Sequence, residues 1–151
     1  MPRQSSEKIN YAEGPADAEV MLVGQNPGKE EIRQNRPFVG RAGKYLDRVM
    51  ADKGIDRKKL YLTSVVKAPT PKNRKPTADE IHDWMPVLLR EIEMIKPAIV
   101  VLMGRVAWQV PRINEIEYIE TYHPAAAMRF PEVRRKFEKD MAALGRRLSR
   151  R

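Results

Sequence analysis

Four short apolar runs constrain the fold of this chain more than any other feature: residues 19–23, 60–66, 98–103 and 118–122. Each has five to seven residues and is mostly apolar instead of strictly alternating, the pattern of strands buried on both faces. Helical periodicity fills the gaps. Residues 42–53 put Leu46, Val49 and Met50 on one face and end at Gly54, a favourable residue for a helix C-terminus. Thr77 with Glu80 three residues on forms a capping box, and that helix runs through Trp84, Leu88, Ile92 and Ile95 to stop at Pro97. Pro131 suits the first turn of a last helix carrying Val133, Phe137, Met141 and Leu144. Strands separated by helices predict a parallel sheet covered on both faces. The expected fold is a three-layer α/β/α sandwich with a central four-stranded parallel sheet, one domain across residues 1–151.

Charge narrows the class of partner. Lys and Arg number 29 against 20 acids, a formal net charge of +9. Such an excess points to a polyanion, nucleic acid first and an anionic membrane surface second, with a merely soluble basic protein as the alternative. Two stretches concentrate it. Residues 67–76 hold four cations and no acid, a candidate phosphate-contact loop or else a solvated connector. Residues 129–151 hold nine cations against three acids, a pattern that fits the charged outer face of a helix. The chain has no cysteine, which excludes disulfides, thiolate zinc sites and iron–sulfur clusters. Two histidines argue against a multi-histidine metal site, and no cofactor is expected. No apolar run approaches the roughly 20 residues of a membrane span. Residues 1–10 are polar, without a signal-peptide core, so a cytoplasmic, nucleoid-associated location is expected.

The chemistry concentrates at strand ends, where α/β proteins bind ligands. The first run opens onto Gly24-Gln25-Asn26-Pro27-Gly28, a turn with two amides between two glycines. It lacks the Gly-Lys-Ser/Thr ending of a Walker A loop, and Pro27 removes a backbone donor that a phosphate cradle needs. It is a candidate active-site floor. Arg36-Pro37-Phe38-Val39-Gly40-Arg41-Ala42-Gly43 follows, with Phe38 placed in a polar loop where a flat nucleobase could stack. The fourth run ends in Tyr122-His123-Pro124, so His123 follows a strand and precedes a proline-fixed turn. His82, mid-helix between Ile81 and Asp83, is assigned no role.

Together these motifs resemble the uracil-DNA glycosylase superfamily, its family 4 branch in particular. Gly24 to Gly28 matches the family's Gly-x-x-Pro-Gly, and Arg36 to Gly43 its Arg-Pro-Phe-Val-Gly-Arg-Ala-Gly. Tyr61 to Lys67 resembles the base-recognition strand, and His123-Pro124 with Arg129 the second catalytic motif. The likeness implies a monofunctional glycosylase that removes uracil from DNA. His123 would hydrogen-bond the base O2, Phe38 would stack on the flipped base, the Gln25 backbone amide would contribute to the base pocket, and Asn26 would orient water. An amide has no useful pKa near neutrality, so Asn26 cannot be a general base. Lys67 and Arg129 are expected to contact DNA.

Four departures from the pattern qualify what it implies. Family 4 holds an iron–sulfur cluster on four cysteines, whereas Ala68 and Trp84 stand at two of those positions. Gln25-Asn26 differs from the usual Gly-Glu-x-Pro-Gly, and Asn26 resembles the mismatch-specific branch. Ser64 replaces the asparagine that reads the base edge, which predicts looser base choice: uracil, with hypoxanthine, xanthine or mismatched thymine besides. Ala127 stands where relatives insert a leucine wedge, leaving Met128 as the expected substitute. The competing readings are a non-catalytic nucleic-acid-binding module on the same fold and a nucleotide-binding protein of flavodoxin type. A monomer is expected.

Overall fold

The computed structural model describes residues 11–150; the polar 1–10 segment lies outside the described residues. Four strands form one parallel sheet: β1 (Val20–Gly24), β2 (Tyr61–Ser64), β3 (Ile99–Met103) and β4 (Glu117–Thr121), in the order β2-β1-β3-β4. Five helices surround it: α1 (Lys29–Gln34), α2 (Arg41–Asp52), α3 (Ala78–Ile95), α4 (Pro124–Arg129) and α5 (Pro131–Ser149).

Side-chain alternation along the two central strands divides the core. Val20 and Leu22 of β1 with Ile99, Val101 and Met103 of β3 face α2 and α5, meeting Leu46, Met50, Phe137 and Met141. Met21 and Val23 with Val100 and Leu102 face α3, meeting Trp84, Leu88 and Ile92. Residues i and i+2 of a strand share a face, so an unbroken apolar run is what a two-sided core requires. The expected α/β/α sandwich is the fold observed. Thr77 caps α3 through the anticipated box, its hydroxyl accepting from the Glu80 amide at 3.1 Å.

The fourth run departs from expectation. β4 is an edge strand with half-buried and exposed positions, not a strand buried on both faces. Its outer residues carry charge: Glu117 pairs with Arg147 and Glu120 with Arg112. Charges on an edge discourage pairing with another chain. The opposite edge is covered in part, since residue Glu13 bridges Leu62 of β2 antiparallel.

The chain runs from β1 outward to β2 and then back across to β3, so the order reverses beside β1. Loops leaving β1 and β3 at such a switch point diverge and open a crevice at the strands' carboxyl ends.

Candidate active site

The crevice is a cavity of about 470 Å³ whose wall includes Tyr11, Asn26, Glu31, Phe38, His123 and Arg129. Residues 97 positions apart in sequence, Asn26 after β1 and His123 after β4, thus meet in one space. Both strands point their carboxyl ends to the same end of the sheet because the sheet is parallel.

Asn26 is held from two sides. Its Oδ1 accepts from Gln25 Nε2 at 3.1 Å, and its Nδ2 donates to Thr70 Oγ1 at 3.4 Å. An amide oxygen has two acceptor sites, so the Gln25 bond leaves capacity for a further donor. Thr70 is buried and donates to Arg74 O at 2.5 Å, which fixes the 67–76 loop over the cavity. Gln25 itself lines the cavity, and its carbonyl accepts from the Val66 amide at 3.0 Å.

His123 is the N-cap of α4, its Nδ1 accepting from the Ala125 amide at 3.1 Å. That bond requires an unprotonated Nδ1, so the neutral ring carries its proton on Nε2 as a donor. Burial pushes the imidazole pKa down to about 4, opposed by the nearby Glu31 carboxylate. His123 is therefore uncharged near neutrality.

Phe38 is 7% exposed and adopts φ 52°, a left-handed conformation unusual for a bulky residue. Its ring lies 6.4 Å from the His123 ring, tilted by 38°. Two glycines make room for it. A Cβ on Gly24 would stand 2.6 Å from Phe38 Cζ, and one on Gly43 would stand 2.1 Å from the Phe38 carbonyl carbon.

Several expected contacts fall elsewhere. Ser64 is buried and does not line the cavity; its hydroxyl donates to Val66 O at 2.7 Å and is hydrogen-bonded to Tyr11, which stands in the wall instead. Lys67 is no free cation. At 2% exposure it folds inward, pairing with Glu91 at 2.9 Å and donating to the Ser64 carbonyl. Desolvation lowers its pKa, partly offset by Glu91. Tyr61 and Thr63 donate to the same carboxylate at 2.7 and 3.0 Å, completing a polar cluster behind β2. Ala127 is fully buried on the inner face of α4, and Met128 packs against the α2/α5 core, so neither side chain stands free on the surface. Arg129 does reach the rim, beside Phe130, which is 51% exposed with the Arg129 guanidinium 5.9 Å from its ring.

Three wall residues carried little sequence signal. Glu31 sits in the polar run KEEIRQ, yet its carboxylate accepts from the amides of Gly28, Val39 and Gly40 at 3.0, 2.9 and 2.8 Å. It ties the first glycine turn to the Phe38 loop. Tyr11 precedes the first strand without any motif, and Asn73 lies in the cationic loop with φ 57°. That loop is neither a bare connector nor wholly cationic surface, since Arg74 pairs with Glu80 at 2.8 Å.

Residues Ala68 and Trp84 offer nothing to an iron–sulfur cluster. Trp84 is buried among Ile81 and Leu88, and Ala68 packs against the same apolar group. With no thiolate in the chain, these positions do not fit the cluster. Among the described residues no group of three or more histidine or acidic side chains could hold a metal ion, and no helix is long and apolar enough to cross a membrane.

Residues 11–145 match the family model described as the Uracil DNA glycosylase superfamily. The chain is 33% identical over 163 residues to the Type-4 uracil-DNA glycosylase of Archaeoglobus fulgidus, covering 91% of this chain and 82% of that protein. It is 37% identical over 153 residues to the Type-4 uracil-DNA glycosylase of Sulfurisphaera tokodaii, covering 85% and 69%. It is also 33% identical over 157 residues to a DNA polymerase of Bacillus phage SP01, covering 94% of this chain and 17% of that protein.

Proposed function

The chain belongs to the uracil-DNA glycosylase superfamily, and from that premise we propose that it is a monofunctional DNA glycosylase that hydrolyses the N-glycosidic bond of uracil in DNA. The observation that carries this reading is the meeting of Asn26, Phe38 and a neutral His123 in one cavity.

Breaking the bond leaves positive character on the sugar and negative charge on the departing base. Preorganised donors aimed at that charge lower the barrier, and more so where water is excluded. His123 Nε2–H donates to the developing base oxyanion. Because the ring is already neutral with Nδ1 committed to the Ala125 amide, no proton needs to move before it acts. Phe38 supplies the stacking face for the flipped base. Asn26 Oδ1 accepts from the attacking water and orients it toward the sugar carbon. Among the described residues no lysine lines the cavity, which favours hydrolysis over Schiff-base chemistry and leaves an abasic site with the strand intact.

Base choice in this reading is loose. Ser64 spends its hydroxyl inside the protein, so no dedicated amide on β2 distinguishes one base edge from another. Hypoxanthine, xanthine and mismatched thymine are proposed as further substrates. Arg129 contacts the DNA backbone. Phe130, exposed on the rim, takes the wedge role that buried Ala127 and Met128 leave open. We take the chain to act as one domain, as a monomer, and in the cytoplasm at the nucleoid.

The test is incubation with a uracil-containing duplex followed by alkali. Cleavage only after alkali, sharply slowed in Asn26→Ala and in His123→Ala, is expected. Binding without cleavage would instead identify a non-catalytic module on this fold.

A further inference from the structure

Arg57 lies outside the cavity, in the 3-10 turn Arg57–Lys59 that leads into β2. We infer that it is a positioning residue for the reaction: together with Glu31 it clamps the 37–40 backbone and so fixes the stacking pose of Phe38. The inference rests on the glycosylase reading for its kinetic consequence, and on geometry alone for its structural one.

The clamp has two jaws of opposite charge. On one side the Arg57 guanidinium donates to Pro37 O at 2.6 Å and Phe38 O at 2.9 Å. On the other the Glu31 carboxylate accepts from the Val39 and Gly40 amides at 2.9 and 2.8 Å. Two carbonyls and two amides in four consecutive residues are thereby held by two ions. The residue at the centre is Phe38, in the left-handed conformation that an aromatic side chain adopts only when its surroundings impose it.

Arg57 is itself immobilised. Its side chain is 16% exposed, pairs with Asp47 of α2 at 2.7 Å and with Glu13 at 3.2 Å. Glu13 is bridged through its backbone to Leu62 of β2, and its carboxylate also takes Arg36 at 2.7 Å. The guanidinium therefore references the Phe38 loop to the sheet and to α2 at once. Four acceptors in different directions match a planar fork of five donors and exceed what a lysine ammonium with three can reach. Arg57→Lys keeps the charge facing Glu13 and Asp47 but loses the fork.

A role through Phe38 predicts coupling that a general stabilising role does not. Arg57→Gln and Arg57→Lys are each made in the parent protein and in Phe38→Leu, which keeps apolar bulk while removing the stacking ring. Single-turnover excision of uracil is followed well below each variant's melting temperature. The expected result is a loss of about tenfold or more from either Arg57 change when Phe38 is present, and less than about twofold when it is Leu. Equal losses in both backgrounds would overturn the inference. A second readout needs no activity. The chain has three phenylalanines, so ring-¹³C-phenylalanine labelling gives few NMR signals. In Arg57→Gln the Phe38 signal should shift or broaden while that of core Phe137 stays in place. An unchanged Phe38 signal would refute the clamp even if uracil proved not to be the substrate. A parent protein that leaves uracil uncut, with the Phe38 signal perturbed as expected, would refute the substrate reading alone.

Discussion

Acid titration tests the His123 assignment most directly. The Nδ1 acceptor bond to the Ala125 amide and the burial of the ring favour the neutral form, with a pKa of about 4 in place of 6.5. At pH 5 a group of pKa about 4 is about 90% neutral, whereas one of pKa 6.5 is about 3% neutral. Protonation would set an Nδ1–H against the Ala125 N–H and break the α4 cap. Excision that depends on the neutral tautomer should therefore hold within about 10–20% from pH 7 to pH 5 and fall only as pH nears 4. The sign for stability follows from the same shift. Between pH 6.5 and 4 the unfolded chain binds the proton that the folded chain refuses. Stability is thus full above pH 6.5 and declines on acidification toward 4, by at most about 3 kcal/mol. Single-turnover rates across pH 4–8 measure the first effect, and urea melts over the same range the second. With only His82 and His123 in the chain, a His82→Gln variant assigns the imidazole NMR signals and gives the His123 titration independently. A midpoint near 6.5 in that signal, matched by a rate inflection there, would refute the neutral-donor mechanism.

Other perturbations separate chemistry from architecture. Asn26→Ala should slow single-turnover excision about 10- to 100-fold while leaving the melting temperature nearly unchanged, because it removes a water-orienting acceptor at a partly exposed position. Lys67→Ala should destabilise by about 3–5 kcal/mol in denaturant melts, since it strands the Glu91 charge, while Lys67→Met with Glu91→Leu should cost less, about 1–3 kcal/mol, because only the neutral Tyr61 and Thr63 hydroxyls and the Ser64 carbonyl lose a partner. Phe130→Ala should reduce excision from duplex DNA and spare single-stranded substrate; equal losses on both would remove it from the wedge role.

The layers of the fold were legible because β1 and β3 are apolar at every position, and only a two-sided core uses such strands. Asn26, Phe38 and His123 were legible because turn residues at parallel strand ends converge whatever the details of packing. The charges were harder. Lys67 at a strand end reads as exposed, and nothing local reveals that its side chain turns back toward Glu91 in α3, 24 residues away. Glu31 and Arg57 look like solvated charge in KEEIRQ and RKK, and acquire their partners only when the 36–40 loop folds between them. That Ser64 does not line the cavity was hidden for a related reason: Tyr11, a residue in no motif, stands in the wall. Hydrophobic pattern encodes which face is inside, whereas ion pairing across loops depends on distances that the pattern does not carry.

The seam between Ala68 and Trp84 bears on where such a protein can work. A thiolate-bound cluster at such a seam would tie its stability to iron supply and expose it to oxidants and chelators. Here tryptophan and alanine fill the gap with carbon. The seam therefore draws no stability from a thiolate-bound cluster, and a chelator added to the purified protein has no such cluster to withdraw. The packing of this seam is thus indifferent to iron supply and to the oxidants that attack iron–sulfur clusters.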